Sequence, residues 1–328
     1  MKRPGRLNDI ANSLGLSPST VSRALRRPEL VNAETRADII KAAKLAGYEP
    51  PEVTRTAPYP RTIGLIVPDL ENPFFTLLAK SAMVEARRHG CSLVVADTNE
   101  EPLDESEVIA MTRERVDGLI IASSRLPDKS LRAVGADAHL VVVNREIEGV
   151  PSILVDNRSG MHQAVEHLAA LGHRSIAYVE GPRHSWSNAR RRETFLAATG
   201  DAGLDGILVG PYEPRFEGGV QATDVAIARG VTAIIGYNDI VAFGIVSRLH
   251  ARHIAVPEAV SVVGFDDVPA AAIWSPSLTT VASSTASIGK TAVRDLLQLA
   301  KGKPLAAGAQ RHLSSHLVVR NSTGPAPT

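Results

Sequence analysis

Only one cysteine, Cys91, occurs in the 328 residues, so no intramolecular disulfide framework is possible and a reducing compartment is expected. Cys91 follows Gly90 and precedes the strand-like SLVVAD, which predicts a buried structural thiol. No run of about 18 apolar residues is present, so no membrane span is expected. The N-terminus MKRPGRLNDI lacks the apolar region of a signal peptide, which points to the cytoplasm. Catalytic signatures are missing too: there is no G-x-S-x-G, no His/Cys set at metal-ligand spacing and no phosphate-binding glycine loop. EGP at 180–182 has too little glycine for such a loop, and the ten histidines are scattered. His89, His167 and His173 sit in helix or turn contexts, where solvated or capping roles are the default. An enzyme is therefore disfavoured, and neither cofactor nor metal is required.

What is present has the balance of a soluble globular protein, 44% hydrophobic and 22% charged, with length for two or three domains. The net charge of +1 hides an asymmetry. Residues 1–28 carry six basic side chains against Asp9 alone; residues 1–60 sum to +4 and the remaining 268 to −3. A basic head on a slightly acidic body suggests that the head meets a polyanion.

Helical signals crowd the head. Leu7, Ile10, Ala11 and Leu14 form one apolar stripe, and Gly15 is placed for a left-handed C-cap. Ser17 can cap a second helix that Pro18 opens, with Val21 and Leu25 facing inward. Asn32 caps a third helix through Ile39, Ile40, Ala43 and Leu45; Gly47 ends it and Pro50 stops its return. Three short helices, the first two joined by a tight glycine turn, match the helix-turn-helix plan. There the second helix enters the DNA major groove, led by Pro18, Ser19 and Thr20, with Ser22 and Arg23 one turn on. Arginine can bond guanine bidentately, while hydroxyls and N-terminal amides suit phosphates. The same core also fits a small helical protein-interaction bundle. After Tyr48, four prolines in a dozen residues of EPPEVTRTAPYPRTIG mark a linker.

From Thr62 onward, nine strand-like runs (TIGLIV, SLVVAD, GLIIAS, HLVVVN, SILVD, SIAYVE, GILVG, TAIIGYN, VSVVGFDD) alternate with helical patterns such as 74–89, 157–171, 187–199 and 239–252. This predicts a doubly wound α/β fold with parallel sheets, and nine strands are more economical as two lobes. Ligands in such sheets bind beyond the carboxyl ends of the strands. Those ends read PDLENPFF, DTNE, ASS, NRE, VDN, EGPRHSWSN, YND and FDD. Asp, Asn and aromatics suit a sugar, since carboxylates and amides pair with hydroxyls and rings cover the apolar face. Each residue taken singly is also a favoured turn or cap residue.

The stretch from Leu7 to Pro50, with TVSRAL, VNAET and a closing A-x-x-x-G-Y-x-P, resembles the headpiece of the lactose/galactose repressor (LacI/GalR) family. The likeness runs almost to the C-terminus through VDN (155–157), GHRSIAYVEGP (172–182), VPEAVSVVGFDD (256–267), SLTTV (277–281) and HLVVRNST (316–323). It implies a helix-turn-helix headpiece over residues 1–50, a hinge linker over 51–61 and a two-lobed, periplasmic-binding-protein-like doubly wound core over 62–328. The N-lobe would take about 62–157 plus 284–302, and the C-lobe about 158–283 plus 303–323. Implied base contacts come from Pro18, Ser19 and Arg23, and backbone contacts from Ser17, Thr20, Ser22 and Asn32. Leu7, Tyr48 and, in the hinge, Val53, Arg55 and Ala57 complete the implied DNA face. For the effector cleft the resemblance implies Phe74, Phe75, Asn144, Ser187, Arg191, Asn238 and Asp266. Trp186 is a distinctive addition that could stack on a sugar ring or merely pack. Arg191 and Asp266 are expected to face each other across the cleft.

The implied protein is a homodimeric repressor reading a near-palindromic operator, its affinity controlled allosterically by a sugar or sugar derivative held between the lobes. Dimer contacts are expected to include helix 74–89, and NSTGPAPT shows no heptads for a tetramerising tail. Some positions depart from the family pattern. Ala57 stands where a leucine wedge is usual, with Pro58 next, which predicts a weaker operator kink or one made by another residue such as Val53. Asn144 replaces a common aspartate, Ala282-Ser283 replaces a more usual polar pair, and Pro214 falls near the place of a cleft aromatic, for which Tyr212 or Phe216 could substitute. The alternative is a solute-binding receptor of a sugar transporter, opposed by the headpiece and the lack of a signal peptide.

Overall fold

In the computed structural model, residues 7–26, 32–46, 62–303, 305 and 309–327 are described. The chain divides into two compact units, Met1–Pro58 and Tyr59–Thr328. In the first, α1 (Leu7–Leu14), α2 (Pro18–Arg26) and α3 (Ala33–Leu45) enclose a small core of Ile10, Ala11, Val21, Ala24, Ile39 and Ala43. The punctuation is local. Gly15 takes φ +66° and lets the Leu16 N–H reach back to the Ala11 carbonyl at 2.9 Å. The Ser17 hydroxyl accepts from the Thr20 N–H at 3.1 Å, and Asn32 Oδ1 accepts from the Thr35 N–H at 2.8 Å.

The second unit holds two parallel α/β lobes. The first lobe is built from β1 (Thr62–Val67), α4 (Pro73–Arg88), β2 (Ser92–Asp97), α5 (Pro102–Arg113), β3 (Gly118–Ala122), α6 (Asp128–Asp137), β4 (Leu140–Val143) and β5 (Ser152–Val155). The second lobe follows with α7 (Asn157–Ala170), β6 (Ser175–Val179), α8 (Trp186–Asp201), β7 (Asp205–Val209), α9 (Phe216–Ala228) and β8 (Ala233–Ile235). It continues with α10 (Asp239–Ala251), β9 (Ser261–Asp266), α11 (Pro269–Ile273) and β10 (Thr279–Ser283). The chain then returns to the first lobe as α12 (Thr285–Ala300) and β11 (Gln310–Leu313), and ends in the second as β12 (Ser315–Val318).

Among the described residues there are two six-stranded sheets, ordered β11-β5-β4-β3-β1-β2 and β12-β10-β9-β8-β6-β7. Every pairing is parallel except β10 with β12. Near-continuous apolar strands such as β3, β4 and β8 are buried throughout because helices cover both faces. Cys91 is buried in the first lobe's core, as expected. His173 is not solvated: it is fully buried, its ring nitrogens bonded to Thr232, Ser261 and the Gly324 carbonyl.

All nine expected strands form, and three further ones complete the sheets: β10, β11 and β12. The return of the chain also differs from the expected border at residue 303. Residues 310–313 pair with β5 in the first lobe, so the last crossing lies between Leu313 and Ser315. There the Ser315 hydroxyl donates to the Asp156 carbonyl at 2.6 Å, tying two crossings together.

Candidate functional site

In the headpiece, the residues expected to meet DNA open α2. Ser17, Pro18 and Ser19 are exposed and Thr20 is half-buried, and the Ser17 hydroxyl lies 2.8 Å from those of both Ser19 and Thr20. Three hydroxyls gathered at a helix N-terminus form a tip suited to phosphate oxygens. Asn32 is exposed at the start of α3. Leu7 belongs to α1, and Ser22 and Arg23 to α2. Tyr48, Val53, Arg55, Ala57 and Pro58 lie outside the described residues.

In the body, strand order reverses at β1 in one sheet and at β6 in the other, and the ends of both sheets meet around one narrow cavity of about 30 Å³. From the first lobe come Asn72, Phe74 and Phe75 at the start of α4, Glu100 after β2, Ser123 and Arg125 after β3, and Asn144 after β4. From the second come Ser187 and Arg191 of α8, Pro214 before α9, Tyr237 and Asn238 after β8, and Asp266 ending β9. The cavity thus gathers seven of the eight expected effector residues. The eighth, Trp186, lines a different pocket with His162 and His312, and Arg190 sits over its ring at 5.3 Å. The Asn72 side chain caps α4, which Pro73 opens, so the Phe74-Phe75 pair meets edge to face at 5.1 Å.

Arg191 is the hub of the second lobe's wall. Its Nε donates to Asn157 Oδ1 at 2.8 Å, Nη1 donates to the Tyr237 carbonyl, and the guanidinium stacks 4.1 Å from the Phe265 ring centroid. Asp266 lies 3.9 Å from Nη2. Both residues belong to the same lobe, so they do not face each other across the cleft as expected. Their elements, α8 and β9, pack in one lobe, and the facing wall comes from the first lobe. Burial pushes the Asp266 carboxyl up to about 7 against the pull of Arg191. Asp239, deeper still, accepts from the Thr280 hydroxyl and the Val268 N–H, and burial beside Asp266 holds it well above the carboxylate range. Asn238 serves structure first: its Oδ1 caps α10 and its Nδ2 donates to the Pro214 carbonyl at 3.2 Å.

Sequence reasoning did not single out Glu100, Ser123, Arg125 or Tyr237. Glu100 and Arg125 form a bidentate pair at 2.8 and 2.9 Å with side chains 6% and 4% exposed, on the first lobe's wall. Glu100, Ser123 and Tyr237 lay within the polar strand ends DTNE, ASS and YND, but their convergence is a product of the sheet order. Tyr237 replaces the aromatic sought at Tyr212 or Phe216, both of which pack against the second lobe's core. Gly181 makes room for it, since a Cβ there would stand 2.5 Å from the Tyr237 ring. Six of the seven non-glycine residues with positive φ among those described lie at strand ends by the cavity: Asn99, Glu100, Ser123, Asn144, Asp266 and Asp267. Such strain persists where surrounding structure enforces it, and it clusters at ligand sites. Among the described residues no group of His, Cys, Asp or Glu could hold a metal ion, and no helix is long and apolar enough to cross a membrane.

Residues 6–51 match the family of bacterial regulatory proteins, lacI family, and residues 165–323 match a periplasmic binding protein-like domain. The chain is 36% identical over 337 residues to the HTH-type transcriptional regulator MalR of Streptomyces coelicolor, covering 98% of this chain and 97% of that one. Among solved structures, the lac repressor dimer bound to operator and the anti-inducer ONPF is similar at a TM-score of 0.74 and 27% identity, over 98% of this chain and 100% of that one. A LacI family transcriptional regulator from Enterococcus faecium with bound ribose is similar at a TM-score of 0.70 and 29% identity, over 80% of this chain and 99% of that one.

Proposed function

This chain belongs to the lacI family of bacterial regulatory proteins, and from that premise we propose a cytoplasmic, sequence-specific repressor without catalytic activity, whose operator affinity is set by a small sugar-like effector bound between the lobes. The observation that carries the effector reading is the cavity at both strand-order reversals, ringed by strained polar residues and closed by aromatic side chains. Phe74, Phe75, Asn144, Ser187, Arg191, Asn238 and Asp266 contact the effector, joined by Glu100 and Tyr237. Trp186, turned to another pocket, does not. The exposed start of α2 supports base reading by Ser19 and Arg23, with phosphate contacts from Ser17, Thr20 and Asn32. Exposed apolar side chains on α4 (Met83, Val84) and on the edge strand β2 (Val94) support a homodimer through the first lobe.

The effector acts by favouring one arrangement of the lobes, which changes how a dimer presents its two headpieces to operator half-sites. A thermal-shift screen of pentoses, hexoses, polyols, nucleosides and their phosphates tests this with the full chain. A compound that raises Tm should also change affinity for a selected near-palindromic operator at fixed salt. A ligand that raises Tm and leaves operator affinity unchanged overturns the allosteric reading.

A further inference from the structure

A second cavity stays open while the cleft is nearly shut. Across the cleft, Arg215 of the second lobe donates Nη2 to Asn99 Oδ1 of the first at 2.6 Å, and only about 30 Å³ is left inside. The pocket that Trp186 lines holds about 400 Å³, within the range of small-molecule sites. Its walls also come from both lobes: Leu154 and His312 from the first, Arg158, His162 and Trp186 from the second. It lies where the chain crosses between the lobes, after β5 and after β11. Asn157 belongs to this pocket too, and its Oδ1 accepts from Nε of Arg191 in the cleft at 2.8 Å, so the two cavities share a wall.

The groups around this pocket are unequal in what they leave free. Three of its carboxylates already have donors: Glu146 accepts from Gln310 at 2.7 Å, Asp156 from the Ser159 N–H at 3.0 Å, and Glu193 from Arg190 at 3.2 Å. Asp201 has none, but it ends α8, fifteen residues on from Trp186 and about 22 Å along the helix axis. By contrast, among the described residues the side chains of Arg158, His162, His312 and Trp186 make no hydrogen bond. A guanidinium offers five N–H groups, and each imidazole and the indole at least one. Half-buried Trp186 adds a flat aromatic surface, on which Arg190 already rests at 5.3 Å, and Leu154, Val155 and Ala197 supply apolar lining. Uncommitted donors beside a ring and an apolar wall suit a flat anion. The two histidines and the carboxylates form no set that could hold a metal ion, among the described residues.

We propose that this pocket is a second effector site, which takes a planar aromatic oxyanion such as an aromatic carboxylate or a nucleoside monophosphate. The ring lies against Trp186, and the anionic oxygens accept from Arg158, His162 and His312. Because the walls belong to both lobes, the bound anion favours one lobe arrangement, and the Asn157–Arg191 bond passes that preference to the cleft. Binding here does not depend on what the cleft holds; only the regulatory effect rests on the repressor reading.

Isothermal titration of the full-length protein with 4-hydroxybenzoate and adenosine monophosphate tests the site and tells the two sources apart. Acetate and inorganic phosphate are the ringless controls, phenol and adenosine the uncharged ones. At least one ring anion should bind roughly tenfold or more tightly than both of its controls. Arg158→Ala should weaken that binding about tenfold, the value of a charge-assisted hydrogen bond, and Trp186→Leu about fivefold. Tm should change little in Arg158→Ala, because Arg158 is exposed and makes no hydrogen bond among the described residues. At fixed salt the bound anion should shift operator affinity about threefold or more, and Arg158→Ala should lose the shift. Binding no tighter than the controls, or unchanged affinity in both variants, overturns the site. A bound anion that leaves operator affinity unchanged overturns its regulatory role, as does an equal shift in Arg158→Ala. A sugar screen that finds no cleft ligand overturns the cleft reading and leaves this site standing.

Discussion

The headpiece and the body solve recognition in opposite ways. In the headpiece the candidate readers from Ser17 to Arg23 lie within seven consecutive residues, and those whose exposure is described are open or half-open to solvent. Their geometry follows from a glycine turn, a serine cap and a proline at the first helical position, all nearest-neighbour effects. In the body the candidate site takes residues from Asn72 to Asp266, nearly all buried and delivered by several strand ends and helix starts far apart in the chain. A local site can be disturbed by weakening one cap. A convergent buried site is disturbed most by uncompensated charge.

That contrast orders the expected effects. Arg191→Ala removes the cation that joins Asn157, the Tyr237 carbonyl and Asp266, so effector affinity should fall a hundredfold or more. Operator binding should persist but no longer respond to effector, as gel shifts with and without the ligand would read. An equal loss of operator binding without any ligand would blur the division between local and convergent sites.

Arg23→Ala should lower operator affinity by about ten- to a hundredfold, the value of one bidentate guanine contact, and random DNA should be affected much less. Titrations of both DNAs at one salt concentration compare them; equal losses would make Arg23 a phosphate contact only.

The buried carboxyl of the body adds a pH signature that the exposed hydroxyl tip of the headpiece lacks. With its pKa raised to about 7, Asp266 stays protonated in the folded protein while the unfolded chain ionises from near its ordinary value of 3.8. Folded protein then binds more protons than unfolded, so the body loses stability as pH rises from about 4 to 7 and levels off above. Asp266→Asn should flatten that slope in denaturant melts, and effector affinity, which gains from an ionised acceptor, should lose its rise near pH 7. The smallest effect belongs to Ser17→Ala, about 1 kcal/mol of headpiece stability, seen as about fivefold faster amide exchange in α2 with the body unchanged.

The three headpiece helices, the body helices α4, α7, α8 and α10 and nine of the strands were legible because alternating apolar runs and helical patterns are carried by consecutive residues. β11, as QRHL, was not: three of its four residues are exposed, so no apolar pattern marks it, and only pairing with β5 makes it a strand. β10 was hidden by its threonines, which are buried because Asp239 and the C-terminal segment bond them. Phe74, Phe75 and Ser187 lay in the strand ends PDLENPFF and EGPRHSWSN, and the resemblance singled them out; Arg191 was reachable through the resemblance alone. The Arg191–Asp266 geometry was misjudged although the expected lobe bounds already placed both residues in the C-lobe; strand order in the second sheet sets them on one wall. Trp186 was misjudged because a helix start turns adjacent side chains about 100° apart, sending Ser187 to the cavity and Trp186 away.

By itself, then, the sequence determined the headpiece, its caps, its basic charge and the family, since these depend on residues near one another along the chain. Only the tertiary structure decided that Glu100 and Arg125 pair on one wall, that Asn144 Oδ1 is left without a partner, and that Arg215 bridges the lobes. The reason is physical: those outcomes are set by strand order and burial, which bring together side chains 25 to 116 positions apart.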